Sequence, residues 1–175
     1  MLDIMGLTYA QEHSGVYALI LGEKDSKMRI PIMIGNTEAQ SIILAIESHR
    51  LRRPLTHDLF KSLAETYLIN IKEVMIDKFD DGMFYAHLVC EKDGMTSYVD
   101  ARASDAVAIA LRFRCPIYTT QEVMDETGIN IDEIKFDEED LEKLQQRLDE
   151  AVEEEDFELA VKLRDEIRRL REQST

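Results

Sequence analysis

Six consecutive residues, Asp100-Ala101-Arg102-Ala103-Ser104-Asp105, place two carboxylates, a guanidinium and a hydroxyl directly before the apolar run Ala106-Val107-Ala108-Ile109-Ala110-Leu111. Such groups can hold a cation, bind an anion or pair with one another. Ser104 has the chemistry of an N-cap and Asp105 suits the positive end of a helix, so a helix start accounts for both. Asp100 and Arg102 are left over. A second cluster is His57-Asp58, where a side chain whose ordinary pKa lies near neutrality adjoins a carboxylate, an arrangement suited to proton transfer. Arg50, Arg52 and Arg53 form a dense basic cluster. They are able to grip a phosphate in bidentate fashion or, equally, to complement the carbonyl end of the preceding helix.

These groups must be positioned by a domain of ordinary size. The chain has 175 residues, 45% of them apolar, with seven glycines and three prolines, enough for one core plus an appendage. No run approaches the roughly 18 apolar residues of a membrane span, and the N-terminus has no signal-peptide pattern. Cys90 and Cys115 have no metal-ligand spacing and fit a reduced, cytoplasmic protein. The net charge is −15, with eight Lys/Arg against seventeen Asp/Glu from Asn130 onward and thirteen against nineteen before it. Neither part has the basic footprint of a protein that holds nucleic acid by charge alone.

Along residues 1–129 the pattern predicts strands at 2–9, 16–21 and 28–34, then a helix opened by Gly35-Asn36 with Ala39, Ile42, Ile43 and Ile46 on one stripe and ended by Pro54. Thr56 reads as the N-cap of a second helix carrying Leu59, Phe60, Leu63, Ala64 and Tyr67. A meander over 71–79, 84–91 and 96–100 is punctuated by Asp80-Asp81-Gly82 and Lys92-Asp93-Gly94, both hairpin signals. The apolar helix, a short strand at 116–118 and a helix at 121–127 ended by Gly128 complete the domain. Elements in blocks rather than strict alternation indicate an α+β fold with a compact mixed or antiparallel sheet and packed helices. Beyond it, an acidic linker at 130–140 leads into two amphipathic stretches at 141–171, read as an antiparallel helical hairpin that docks on the main domain or on another chain.

The segments Ile30-Pro31-Ile32-Met33-Ile34-Gly35 with Glu38-Ala39, Arg53-Pro54-Leu55-Thr56-His57-Asp58-Leu59, Asp81-Gly82-Met83-Phe84-Tyr85-Ala86 and Asp100-Ala101-Arg102-Ala103-Ser104-Asp105-Ala106 resemble, in order, the bifunctional nuclease family. The tail, with Leu148-Asp149-Glu150-Ala151-Val152 and the run from Glu155 to Ile167, resembles the UvrB/UvrC-type (UVR) motif, a hairpin used for protein–protein pairing. The first resemblance implies a nuclease that cleaves DNA and RNA on a compact α+β fold tending to self-associate, a dimer being the first expectation. The second implies a protein partner held through residues 141–171.

Phosphodiester hydrolysis needs charge stabilisation on the phosphate, activation of a nucleophile and protonation of a leaving group, often through a metal held by carboxylates. On that implication Glu38, Asp58, Asp100 and Asp105 are candidate ligands for Mg²⁺ or Mn²⁺, with no organic cofactor. His57, Asp58 and Arg102 are the candidate catalytic residues, with Arg50 and Arg53 on phosphate. His13, His49 and His87 have weaker claims. The competing reading is a non-catalytic oligomeric adaptor in which Arg102 is clamped between aspartates. Convergence of His57, Asp58, Asp100, Arg102 and Asp105 on an open cleft would favour the enzyme; closed ion pairs would favour the adaptor.

Overall fold

The computed structural model describes residues 1–11, 15–49, 51–131 and 145–150, and the positions 159, 163, 164 and 167. The chain divides into two compact units, residues 1–131 and 132–175. The first is an α+β domain. Its strands are β1 (Asp3–Gln11), β2 (Val16–Gly22), β3 (Met28–Gly35), β4 (Asn70–Asp80), β5 (Met83–Lys92), β6 (Met95–Arg102), β7 (Ile117–Thr119) and β8 (Ile129–Asn130). They form two four-stranded sheets, ordered β1-β2-β3-β8 and β6-β5-β4-β7, antiparallel except for the β4–β7 pair. The four helices are α1 (Asn36–Ile46), α2 (Thr56–Thr66), α3 (Ala103–Phe113) and α4 (Gln121–Thr127).

Period-2 patterning sends Ile30, Ile32 and Ile34 of β3 and Ala86, Leu88 and Cys90 of β5 into the core, where they meet Leu19, Leu21, Val74 and Ile76. Pro31 pairs opposite Ile20 of β2, while β8 on the other side reaches only Met28 and Arg29, so from Pro31 on β3 has an open edge where a residue without an N–H is tolerated. Both expected hairpins form. Asp81 (φ 48°) with Gly82 (φ 77°), and Asp93 (φ 52°) with Gly94 (φ 76°), supply the two left-handed residues of a tight primed turn.

α3 is the helix around which the domain packs. Ala103, Ala106, Ala108 and Ala110 are buried with Val107 and Ile109, their small side chains letting α1, α2 and the strands approach closely. α2 is different. It buries Ala64 and half-buries Phe60, while Leu59, Leu63 and Tyr67 are each more than half exposed.

Three helix-end expectations need correction. α3 begins at Ala103 with Arg102 as its N-cap residue, so Ser104 lies inside the first turn; β6 runs into the helix with no intervening loop for a serine cap. Likewise the N-cap residue of α2 is Leu55, not Thr56, and Asp58 three residues on accepts from Leu55 N at 3.0 Å. α1 stops at Ile46, well before Pro54. Ser48 (φ 54°) turns left-handed, and His49 N and Ser48 N donate to the Leu44 and Ala45 carbonyls. The carbonyl end of α1 thus has backbone partners, and its last turn holds no basic residue for the arginine cluster to represent.

In the second unit the residues at 145–150, 159, 163, 164 and 167 are helical, and Leu163 and Ile167, four apart, are buried. Gln145 and Gln146 donate to Asp149 and Glu150 one turn on, at 3.3 and 3.2 Å. The remainder of the expected linker and hairpin lies outside the described residues. Among the described residues, no helix is long and apolar enough to cross a membrane.

Candidate functional site

The first turns of α1, α2 and α3 meet, and their polar side chains join into one chain of contacts. Glu38 is the third residue of α1, and its Oε1 accepts from Arg102 Nη2 at 3.0 Å. Arg102 Nε donates to Asp105 Oδ2 at 2.7 Å and its Nη2 to Asp105 Oδ1 at 3.1 Å, a two-point clamp. Asp105 Oδ1 also lies 3.1 Å from His57 Nε2, and His57 Nδ1 lies 2.8 Å from Ser41 Oγ. An ionised carboxylate only accepts, so Nε2 carries the ring proton, and in neutral His57 the Nδ1 lone pair accepts from the Ser41 hydroxyl.

The chain continues through backbone. Arg112 Nη1 and Nη2 donate to the Ser41 carbonyl at 3.3 Å each, Nη1 donates to the Ala108 carbonyl at 2.9 Å, and Nε donates to Asp58 Oδ1 at 2.6 Å. Lys61 closes the far side by donating to the Arg112 carbonyl at 2.9 Å. Helical spacing makes this possible. Glu38 and Ser41 are three apart on α1, and Asp105, Ala108 and Arg112 fall at three- and four-residue intervals on α3.

Exposure grades along the chain. Arg102 has 67% of its side-chain surface exposed, while Arg112 has 7%. Burial pushes the Asp105 carboxyl up, but the hydrogen bonds from Arg102 and His57 outweigh it and hold the group below its ordinary value. Asp58 is balanced in the same way, burial opposed by the Arg112 and Leu55 hydrogen bonds, again with a lowered result. The hydrogen bond to Asp105 raises Arg102, so its charge is permanent.

The exposed end borders a cavity of about 500 Å³ lined by Glu38, Arg102, Ser104 and Gly35 on its polar side. Gly35 and Arg102, the N-cap residues of α1 and α3, both lack a side-chain cap, so two helix N-termini open here without one. A Cβ at Gly35 would stand 2.7 Å from Glu38 Oε2, so a larger residue there would push that carboxylate aside.

Of the residues singled out in the sequence, Glu38, His57, Arg102 and Asp105 are brought together, with Asp58 joined through Arg112 and Ser41. Asp100 is not among them. Arg102 sits where the chain leaves the sheet, whereas Asp100, two residues earlier, is still paired opposite His87, which bonds Asp77 at 3.3 Å. Arg53 is exposed ahead of α2, and Arg50 and His13 lie outside the described residues. Glu38, Asp58 and Asp105 each face an arginine, and among the described residues no three His, Cys, Asp or Glu side chains are grouped to hold a metal. Ser41 and Arg112 were missed. The available signal for Ser41 was a hydroxyl beside Ile42 in the apolar stripe of α1; Arg112 has no local signal, since its partner is 54 positions away.

The family model for the bifunctional nuclease domain matches residues 19–132, and that for the UvrB/uvrC motif matches residues 138–173. An uncharacterized protein of Mycobacterium tuberculosis strain H37Rv is 40% identical over 113 residues, covering 65% of this chain and 67% of the relative. Bifunctional nuclease 1 of Oryza sativa subsp. japonica is 25% identical over 119 residues, which span 66% of this chain but 36% of the rice protein; the bifunctional nuclease of Oryza minuta matches equally. Four sequence segments, the α+β domain they build and a match over most of residues 1–131 agree: this chain belongs to the bifunctional nuclease domain family and carries a C-terminal UvrB/UvrC-type motif.

Proposed function

We propose that the domain hydrolyses phosphodiester bonds of DNA and RNA at the cavity beside Arg102. The observation that carries this reading is the setting of Arg102: an exposed guanidinium, clamped by Asp105 and Glu38, at the mouth of a cavity onto which two uncapped helix N-termini open. A guanidinium offers two parallel N–H groups to a phosphate, and helix N-termini add backbone donors for the charge that builds on it during attack. Glu38 is the carboxylate placed to take the proton of an attacking water. His57 stands behind Asp105 and fixes the clamp, so it positions Arg102 rather than meeting substrate. A divalent cation held by one of these carboxylates together with the substrate phosphate would add charge stabilisation, and the chelator arm of the test measures its share.

The test is cleavage of labelled single-stranded DNA and RNA by rigorously purified protein, with and without chelator, for wild type, Arg102→Gln and Glu38→Gln. Loss of at least about 100-fold in each variant is expected, the scale of removing one transition-state donor or a general base. Undiminished cleavage would refute the assignment. The adaptor reading is favoured by one observation, that Glu38, Asp58 and Asp105 each have a cationic partner. It predicts no cleavage in any preparation. Under either reading the UvrB/UvrC-type segment serves protein pairing and the chain self-associates, which sedimentation of the full chain measures.

A further inference from the structure

We propose that the cavity beside Arg102 is a subsite for one unpaired nucleotide, so that the substrate is single-stranded; this rests on the nuclease reading of the same site. Much of the cavity lining is apolar. Met33, Phe79, Met83 and Phe84 contribute to it, and the two phenylalanine rings pack 4.7 Å apart at 53°. Met33 and Met83 remain 58% and 55% exposed, an unusual placement for large apolar side chains beside a permanent cation. A volume of about 500 Å³ lies within the roughly 300–1,000 Å³ of small-molecule sites.

Ser104 points the same way. It lines the cavity, is only 7% exposed, and its hydroxyl has no hydrogen-bond partner among the described residues. Among the described residues no sealed side-chain N or O lacks a partner, so this hydroxyl is open to the cavity, where it can donate to a bound acceptor. Ser104 lies in the first turn of α3, whose N-terminus has no side-chain cap, and lines the same cavity as Arg102. Phosphate oxygens meet all three requirements.

Charge decides between a nucleotide and a bare polyanion. Glu38 and Glu126 also line the cavity, Asp105 holds Arg102 from behind, and the whole chain carries −15. One arginine shared between two carboxylates gives little affinity for phosphate alone, and among the described residues lining the cavity Arg102 is the one Lys or Arg. Affinity must therefore come from the base, laid against the methionine and phenylalanine lining. A base inside the cavity has left its stack. In a duplex that step costs unpairing and unstacking, which a single strand avoids.

The probe is adenosine 5′-monophosphate, titrated calorimetrically into the full chain and compared with adenosine and with inorganic phosphate. Saturable binding at least tenfold tighter than phosphate is expected, weakened at least tenfold in Met83→Glu and in Arg102→Gln. Both substituted side chains are largely exposed, so the fold survives, and circular dichroism checks that. A single-stranded RNA decamer should be cleaved with kcat/KM at least tenfold above its duplex, and Met83→Glu should raise KM while leaving kcat within threefold. Equal binding of the nucleotide and phosphate, an unchanged KM in Met83→Glu, or equal cleavage of the two strand forms would overturn the subsite. If cleavage still depends on Arg102 in those cases, the nuclease reading stands without it. Tight nucleotide binding with no cleavage would keep the subsite and remove the nuclease reading.

Discussion

Replacing Asp58 by alanine should unsettle the seam between α2 and α3. The Arg112 side chain is only 7% exposed, and among the described residues Asp58 is its one anionic partner, 2.6 Å away, with Oδ2 also accepting from Leu55 N at the helix start. Loss of a hydrogen bond to a charged group costs about 1.5–3 kcal/mol, and loss of the acceptor at a helix start about 1 kcal/mol. Two discounts apply. The Asp58 side chain is 40% exposed, so water screens the pair, and Arg112 keeps the Ser41 and Ala108 carbonyls. The net expectation is about 2–3 kcal/mol, which for a chain of this size lowers the midpoint of thermal unfolding by roughly 5–10 °C. Urea and thermal denaturation followed by circular dichroism measure it. The companion Arg112→Met removes the buried charge as well, so the double variant should lose about 1–2 kcal/mol less than the sum of the singles. A loss below about 0.5 kcal/mol in Asp58→Ala, or strict additivity, would refute the argument that an orphaned guanidinium carries the cost.

Three further expectations follow from geometry. Asp58 and Asp105 both ionise below their ordinary value, so the stability they contribute is present above the unfolded-state carboxylate range near about 3.9 and is lost as pH falls through their lower folded values; thermal midpoints measured from pH 6 to 2.5 should drop below about pH 4, less steeply in Asp58→Asn. Burial pushes the Cys115 thiol up to about 11, with Glu73 adding to it, so it should react with a thiol reagent at pH 8 at least tenfold slower than in urea. Gly128→Ala would drive a Cβ against the Met124 carbonyl oxygen and set it 2.7 Å from Met28 Cε at the end of α4, and should destabilise by about 1–3 kcal/mol in chemical denaturation.

What could be read from the chain alone was what neighbouring residues decide. Asp-Gly pairs impose left-handed turns on any strands around them, and the isoleucine alternation of β3 and the span of α4 follow from patterns within a few positions. Helix starts were harder, because a serine ahead of an apolar run is a cap only if the chain needs a loop there, and β6 enters α3 without one. The site was legible in its members and not in its connections. His57 meets Ser41 across 16 positions and Asp105 across 48, and Asp58 meets Arg112 across 54, separations set by how three helices pack. Asp100 shows the converse. Its position beside Arg102 in sequence suggested a shared task, yet one residue ends a strand and the other is still within it.

α2 gives the domain an element with its own response to solvent. Its apolar surface is largely turned outward, and the fastenings of its first turns are polar: the Asp58–Arg112 ion pair, Lys61 on the Arg112 carbonyl and the His57–Asp105 hydrogen bond. The sheets are fastened by apolar burial and ladder hydrogen bonds. Strongly hydrated salts reinforce burial, whereas ionic strength weakens partly exposed ion pairs. The amides of α2 should therefore exchange with solvent faster in molar salt while those of β2 and β5 hold or slow. One helix of the family domain is thus built as a latch whose tightness is written in charge, and its opening would bare the Asp105 face that steadies Arg102.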